Sequence, residues 1–224
     1  MELITLIILF AFAPSLALLW YFYHKDKYEP EPKRYVAVTF IYAAIFSTAL
    51  ANIFEEILNS ILMSILMHSA ITLALIASIV EEPAKALAIR VPYKDKQMDG
   101  IMDGVVYGVA AGLGFASVEN LLYGLGFGVE ITIIRAFLTP IAHASWSAVV
   151  GVGYGLKSEG KISSLTIFLL AAIVLHFLWD YSVFMTSINL LYSIPVFTIL
   201  LVNIVMIRYF LRAGLQEDKL KFGG

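Results

Sequence analysis

The chain has no cysteine and few charged residues, and these two absences exclude several kinds of chemistry. Without cysteine there is no disulfide, no thiolate nucleophile and no Cys-type zinc site. Charged residues make up 14% of the 224 residues and hydrophobic residues 60%, whereas about 25% of the residues in soluble domains are charged. The formal net charge of −2 offers no basic surface, so we expect no nucleic acid partner. Composition therefore predicts a membrane protein surrounded by membrane lipid.

Long apolar runs follow one another along the chain. Because a bilayer crossing needs about 20 apolar residues, we predict seven transmembrane helices, near 3–23, 35–54, 68–90, 104–124, 131–156, 162–185 and 188–212. The first run lacks the positive n-region of a signal peptide, so we interpret it as a span. The predicted fold is an all-α, polytopic membrane helix bundle, with one integral-membrane domain over 1–212 and a short cytoplasmic tail over 213–224.

Lysine and arginine concentrate in alternate connections, which predicts the orientation of the bundle. Short cytoplasmic loops carry the excess of these residues, so we expect the N-terminus outside, the C-terminus in the cytoplasm, and the plasma membrane as the location. Thirteen of the 15 lie on the predicted cytoplasmic side: Lys25, Lys27, Lys33, Arg34, Arg90, Lys94, Lys96, Lys157, Lys161, Arg208, Arg212, Lys219 and Lys221. The other two fall within predicted spans. We place Arg135 at the interface, while Lys85 either pairs with a glutamate or extends its stem to the cytoplasmic interface.

One predicted outer connection is more than a loop. In NIFEEILNSILM, which begins at Asn52, polar and apolar residues alternate at helical spacing. Two interpretations fit this pattern: a helix that lies on the outer membrane surface, or the polar outer end of the second span.

The third span contains ionisable residues, each of which costs about 2.5 to 3.5 kcal/mol at the bilayer centre. Ser78, Glu81, Glu82 and Lys85 form a polar stripe on one helix face. Pro83 removes a backbone hydrogen bond, so we expect a kink beside the glutamates.

The fourth span presents a smooth face of small residues. Gly104, Gly108 and Gly112 point in nearly the same direction as Phe115 and Glu119. Such a face lets a neighbouring helix approach closely. Glu119 should therefore project at a tight contact between helices, with Asn120 beside it.

The fifth and sixth spans each carry a histidine. His143 shares a face with Thr139, and HFLWD places His176 and Asp180 one turn apart. At 1.5 Å per residue, Glu81 lies about 20 Å and His143 about 18 Å from the outer boundary, while His176 lies about 21 Å from the cytoplasmic end. These three residues should meet in the central to outer half of the bundle.

Buried carboxylates and imidazoles are suited to general acid-base catalysis. For peptide hydrolysis, Glu81 or Glu82 could be the base that activates water. His143, His176 and Asn120 could polarise the carbonyl or donate to the leaving group, with Asp180 orienting His176.

Two other functions use the same residues. His143, His176 and Glu81 could bind a divalent metal in a metal-dependent membrane protease. Alternatively, a proton- or ion-coupled transporter would use the carboxylates as relays, although we find no repeat between the two halves of the sequence.

Four features lie in order along the chain: the EEPAK stretch at Glu81, GFASVEN with Phe115 and Glu119, the single residue His143, and HFLWD at His176. Together they resemble the PrsW family of intramembrane proteases. The similarity runs from YEPEPKR to about Met185. It implies a glutamic-type peptidase without a serine or cysteine nucleophile and, as we read it, without a cofactor. The expected substrate is a single-span, anti-sigma-factor-like membrane protein, which the enzyme cuts first, on its outer side. By position, the resemblance assigns catalysis to Glu81, Glu82, Glu119, His143 and His176, with Lys85, Phe115, Asn120 and Asp180 in support.

Overall fold

A computed structural model describes residues 2–66 and 69–223, which are 87% helical and contain no strand. The helices are α1 (Glu2–Tyr23), α2 (Lys33–Tyr42), α3 (Thr48–Leu66), α4 (Ala70–Lys94), α5 (Ile101–Phe127), α6 (Val129–Ser158), α7 (Thr166–Thr186) and α8 (Ser193–Phe222). A π-helical segment, Ala43–Ser47, joins α2 to α3, and a 3₁₀ turn, Leu190–Tyr192, precedes α8. Counting α2 and α3 as one helix, the described residues form seven, which confirms the predicted helical membrane bundle.

Six of these seven helices are long and apolar enough to cross a membrane. The helix outside this set is α4, because Glu81, Glu82 and Lys85 occupy its middle. The predicted boundaries differ from the observed ones mainly at helix ends: α8, for example, continues to Phe222. The predicted third span began at residue 68, which lies outside the described residues.

The segment that begins at Asn52 continues the second span and does not form a separate helix. Lys33–Leu62 is one continuous candidate span, as the second of our two interpretations proposes. Within the π-helical segment, the Ser47 hydroxyl donates to the carbonyl of Ala84 at 2.7 Å. This bond ties the second span to α4 beside Lys85.

Helices α5 and α6 form the centre of the bundle. Gly128, with φ of 99°, makes the one-residue turn between them, a conformation that glycine adopts without steric cost. The two helices then run antiparallel in close contact. A Cβ at Gly104, Gly108 or Gly112 would overlap the backbone at Gly151, Ser147 or His143, respectively. The predicted smooth face of α5 is therefore the surface on which α6 packs.

Four carboxyl groups are buried at the end of the bundle that the basic loops mark as cytoplasmic: Asp26, Glu31, Asp103 and Asp218. The Tyr107 hydroxyl donates to Glu31, whose backbone N–H donates to Asp26 at 3.2 Å. Burial, together with the charge of Asp103, raises the pKa of Glu31 to about 10. Burial and Asp103 likewise raise the pKa of Asp26 to about 6. The loop between α1 and α2 is thus attached to α5 through carboxyl groups that retain protons above their usual range.

The contact between α5 and α6 predicts different effects for two glycine substitutions. A Cβ at Gly108 would lie 2.5 Å from the Ser147 carbonyl oxygen, whereas a Cβ at Gly126 would meet nothing within 4 Å. Overpacking a core costs about 1–3 kcal/mol, so Gly108→Ala should lower the melting temperature in detergent by several degrees. Gly126→Ala should leave it unchanged or raise it, because alanine favours helix. Equal melting temperatures for the two variants would contradict the close contact.

The raised pKa of Glu31 predicts that stability falls as pH rises. Between about pH 4.5 and about pH 10, Glu31 is ionised in the unfolded chain but keeps its proton in the folded protein. Rising pH in this range therefore favours unfolding. Glu31→Gln should remove this loss and still accept the Tyr107 hydroxyl. One pKa unit corresponds to about 1.4 kcal/mol. Glu31→Gln should therefore raise the free energy of unfolding by more than about 1 kcal/mol at pH 8.5 but not at pH 5. Thermal unfolding at both pH values would measure the gain, with the exposed Glu56→Gln as control. A gain that is the same at both pH values would contradict the assignment.

Candidate active site

The ionisable residues predicted from the sequence meet in the interior of the bundle. Glu81 and Glu82 on α4, His143 on α6 and His176 on α7 are all at least 95% buried. Glu119 on α5 and Asp180 on α7 lie beside them and are partly exposed to a cavity of about 320 Å³. We refer to these six residues and Lys85 as the polar centre.

Lys85 lies in the middle of the polar centre. Its Nζ lies 2.6 Å from Glu82 Oε1, 3.4 Å from Glu81 Oε2 and 3.0 Å from His143 Nδ1. The side chain is only 1% exposed. Lys85 therefore pairs with the glutamates, and the alternative in which it extends to the cytoplasmic interface is wrong.

The partners of His143 determine which of its nitrogens carries the proton. A lysine ammonium can only donate, so Nδ1 accepts from Lys85. The opposite nitrogen, Nε2, lies 3.0 Å from Glu119 Oε2 and is assigned as the donor. The ring is further held by Phe115, which stacks on it with centroids 5.6 Å apart. His143 thus links α4 to α5 in one defined orientation.

His176 lies between two carboxylates. Its Nδ1 is 2.8 Å from Glu82 Oε1, and its Nε2 is 3.2 Å from Asp180 Oδ2. It can donate to both carboxylates only when both nitrogens carry protons. Trp146 stacks on the ring with centroids 4.4 Å apart. Asp180 therefore lies where it can orient His176, as the sequence predicts.

Glu119 has a second partner that our interpretation of the sequence missed. Arg135 Nη2 lies 2.8 Å from Glu119 Oε2, so Arg135 is an internal ion-pair partner and the interfacial placement is wrong. Arg135 Nε donates to Asn120 Oδ1 at 3.0 Å, and the Thr139 hydroxyl donates to the same oxygen at 2.8 Å. Asn120 does not line the cavity and instead orients Arg135. The spacing of Arg135, Thr139 and His143 by four residues was the signal that could have revealed this.

The cavity separates the two paired glutamates. Glu81 lines it together with Glu119 and Asp180, whereas Glu82 is fully buried behind them. The cavity also reaches Glu55 on α3, a residue that we had not included in the site. Glu55 belongs to the polar face of the segment that begins at Asn52, which was the signal for it.

A metal ion held by His143, His176 and Glu81 does not fit this arrangement. Glu81 Oε2 lies 3.9 Å from His143 Nδ1 and 3.9 Å from His176 Nε2. Both nitrogens already face protein partners, and a divalent ion among them would lie beside the Lys85 ammonium, which repels it. Within residues 2–66 and 69–223, no three His, Asp or Glu side chains form a set that could hold a metal ion.

The central position of Lys85 predicts its effect on stability. Removing one partner of a buried ion pair costs about 3–5 kcal/mol, whereas removing both is often nearly neutral. Lys85→Met should therefore lower the melting temperature in detergent strongly, and Glu82→Gln combined with Lys85→Met should recover much of the loss. Lys161→Met is the control, because Lys161 pairs with Glu159 and Glu217 at an exposed site worth about 0–1 kcal/mol. A Lys85→Met protein as stable as the wild type would contradict the assignment.

Comparisons with known proteins identify one family of similar proteins. A family model described as "PrsW family intramembrane metalloprotease" matches residues 31–213. Protease PrsW of Geobacillus kaustophilus (strain HTA426) is 34% identical over 165 residues, which cover 74% of this chain and 72% of the relative. Protease PrsW of Bacillus subtilis (strain 168) is 30% identical over 187 residues, which cover 82% and 85% of the two chains. No solved structure matches the chain.

The family description implies a metal, which the arrangement around Lys85 does not fit. The peptidase activity itself is named in the family model and in both relatives, and the apolar helices agree with a multi-pass membrane protein. The chain therefore belongs to the PrsW family of intramembrane proteases.

Proposed function

We propose that this protease hydrolyses a peptide bond in or near the transmembrane segment of a single-span, anti-sigma-factor-like membrane protein, with Glu81 as the base that activates water. The observation that carries the proposal is the position of Glu81, which lines the cavity within 4 Å of both histidines. The cavity gives a substrate and a water molecule access to one carboxylate of the pair.

Glu82 has a different role in this proposal. It is fully buried, and its Oε1 binds both Lys85 and His176. A carboxylate that is held by two cations and kept away from the cavity is suited to positioning. Glu82 therefore orients Lys85 and His176, and Glu81 acts on the water.

The reaction needs one proton transfer in each direction. The Glu81 carboxylate takes a proton from water, and the water oxygen forms a bond with the carbonyl carbon of the peptide. When the carbon–nitrogen bond breaks, the Glu81 carboxyl returns the proton to the leaving amine. The N–H at His176 Nε2 faces Asp180 and lies 3.9 Å from Glu81 Oε2, so it can transfer its hydrogen bond from Asp180 to the developing oxyanion while Glu82 holds the ring through Nδ1.

Cleavage on the outer side is supported by where the cavity lies along the helices. The lining residues that these helices contribute fall in the second half of α5, the first half of α6 and the second half of α7. With the basic loops in the cytoplasm, all of these parts belong to the outer half of the bundle. The catalytic carboxylate would then reach a substrate bond at or above the membrane centre.

Cleavage of a panel of single-span membrane proteins, including anti-sigma factors, by the purified full-length protein would test the proposal. Glu81→Gln should reduce turnover by at least about 100-fold, the usual minimum contribution of a general base, and should lower the melting temperature less than Glu82→Gln, because Glu81 is the more distant partner of Lys85. Glu82→Gln should lower both turnover and melting temperature, because it leaves Lys85 with a weaker partner. Glu56→Gln, on the exposed side of α3, should behave as the wild type.

Normal turnover by Glu81→Gln would remove the basis of the mechanism. The same assay with a chelator tests the metal-dependent alternative. Loss of activity on chelation, restored by zinc, would make a metal the activator, whereas activity that resists the chelator supports water activated by glutamate.

A further inference from the structure

Helix α3 has two chemically different faces, and the polar one lines the cavity. Asn52, Glu55 and Asn59, together with Thr48, face the cavity at spacings of three and four residues. On the opposite side α3 exposes large apolar side chains: Ile53, Phe54, Ile57 and Ile61. We refer to Asn52, Glu55 and Asn59 as the α3 strip.

The α3 strip has hydrogen-bonding capacity that the described residues do not use. Asn59 Oδ1 is buried and has no hydrogen-bond partner among them. Glu55 lines the same cavity as Glu81, Glu119 and Asp180 of the polar centre. The strip therefore faces the polar centre and is available to a ligand that enters the cavity.

The cavity has an apolar part as well as polar ones. Besides the polar Arg135, Thr139 and Asp180, α6 and α7 contribute four apolar side chains to the lining, which we call the apolar wall: Ile134, Leu138, Val183 and Phe184. In the described part of the chain, α3 packs on α4 and makes no close backbone contact with α6 or α7. The cavity is thus lined by the α3 strip and by the apolar wall, which lie on helices that do not pack on each other.

A transmembrane substrate presents a specific difficulty to a water-activating carboxylate. In a helix the peptide groups are bonded to one another, so a scissile bond becomes accessible only when the helix unwinds. Each freed N–H or C=O group then costs several kcal/mol unless a partner replaces water. Asparagine side chains supply both a donor and an acceptor.

The spacing of the α3 strip matches an extended chain. Asn52 and Asn59 are seven residues apart, or about 10.5 Å along a helix. At about 3.3 Å per residue, this length corresponds to about three residues of an extended peptide. Glu55 lies between the two amides and can accept from a backbone N–H.

We propose that the α3 strip binds the unwound main chain of the substrate beside the scissile bond, while the apolar wall of α6 and α7 receives the substrate side chains. The inference rests on the proposed function and adds a binding site to it. The ligand class is the extended backbone of a transmembrane segment, and the strip recognises it by main-chain hydrogen bonds with little dependence on its sequence.

A first experiment compares residues on the two faces of α3. With the full-length protein and a synthetic single-span peptide that the wild type cleaves, Asn59→Leu should lower kcat/KM by about tenfold, and Asn52→Leu combined with Asn59→Leu by more. Ser60→Leu, on the exposed face, should leave kcat/KM unchanged. Similarly, Glu55→Gln should reduce kcat/KM, whereas Glu56→Gln should not.

A second experiment distinguishes main-chain binding from a purely structural role. An ester that replaces one backbone amide within three residues of the scissile bond removes a single N–H donor. For the wild type, at one such position, the ester should lower kcat/KM by about 3- to 10-fold, while for Asn59→Leu it should cause little further loss.

The wild type must cleave the peptide for this test. If it does, and the losses of kcat/KM from Asn59→Leu and from the ester multiply at every ester position, the inference is overturned. Absence of cleavage by the wild type would instead count against the proposed function. The two failures are therefore distinguishable.

Discussion

The ammonium group of Lys85 is the interaction on which the polar centre depends. Two carboxylates and two imidazoles are buried within a few ångströms of one another, and carboxylates alone would repel each other there. Because Lys85 contacts Glu81, Glu82 and His143 at once, one buried charge offsets the repulsion and fixes three side chains. The same contacts divide the glutamates, since the tighter partner, Glu82, is withdrawn from the cavity and Glu81 is left at its edge.

The polar centre also requires close packing of α5 on α6. The glycines of α5 bring its backbone against that of α6 at His143, so Phe115 can stack on the imidazole and Glu119 can reach it. Glu119 lies nine residues before the turn at Gly128 and His143 fifteen residues after it, so Glu119 is closer to that end of the bundle. Side chains in a helix lean toward its N-terminus, and in two antiparallel helices these directions are opposed. The Glu119 and His143 side chains therefore lean toward each other and meet at 3.0 Å.

Much of the site was predictable because charges within apolar runs are costly and need partners. That rule identified Glu81, Glu82, His143 and His176 from the sequence, once the apolar runs had been assigned to spans. It could not decide between the two roles of Lys85, because a flexible stem reaches either a glutamate or the interface. Arg135 was misplaced because its partner, Glu119, is on another helix. The spacing of residues in one segment shows which of them share a face, but not which neighbouring helix that face contacts. Glu55 was missed for the same reason.

The α3 strip and the polar centre differ in how their side chains are held, which suggests that substrate binding and catalysis are assigned to different helices. The charges of the polar centre lie on α4, α5, α6 and α7 and hold one another through ion pairs, which makes that part of the site rigid. Helix α3 has no ion pair to them among the described residues, although it packs on α4 and the hydrogen bond from Ser47 ties its start to that helix. Because packing and not ion pairs joins α3 to the polar centre, a small displacement of α3 would leave the ion pairs around Glu81 in place. Entry of a substrate between α3 and the apolar wall would then leave the geometry around Glu81 intact.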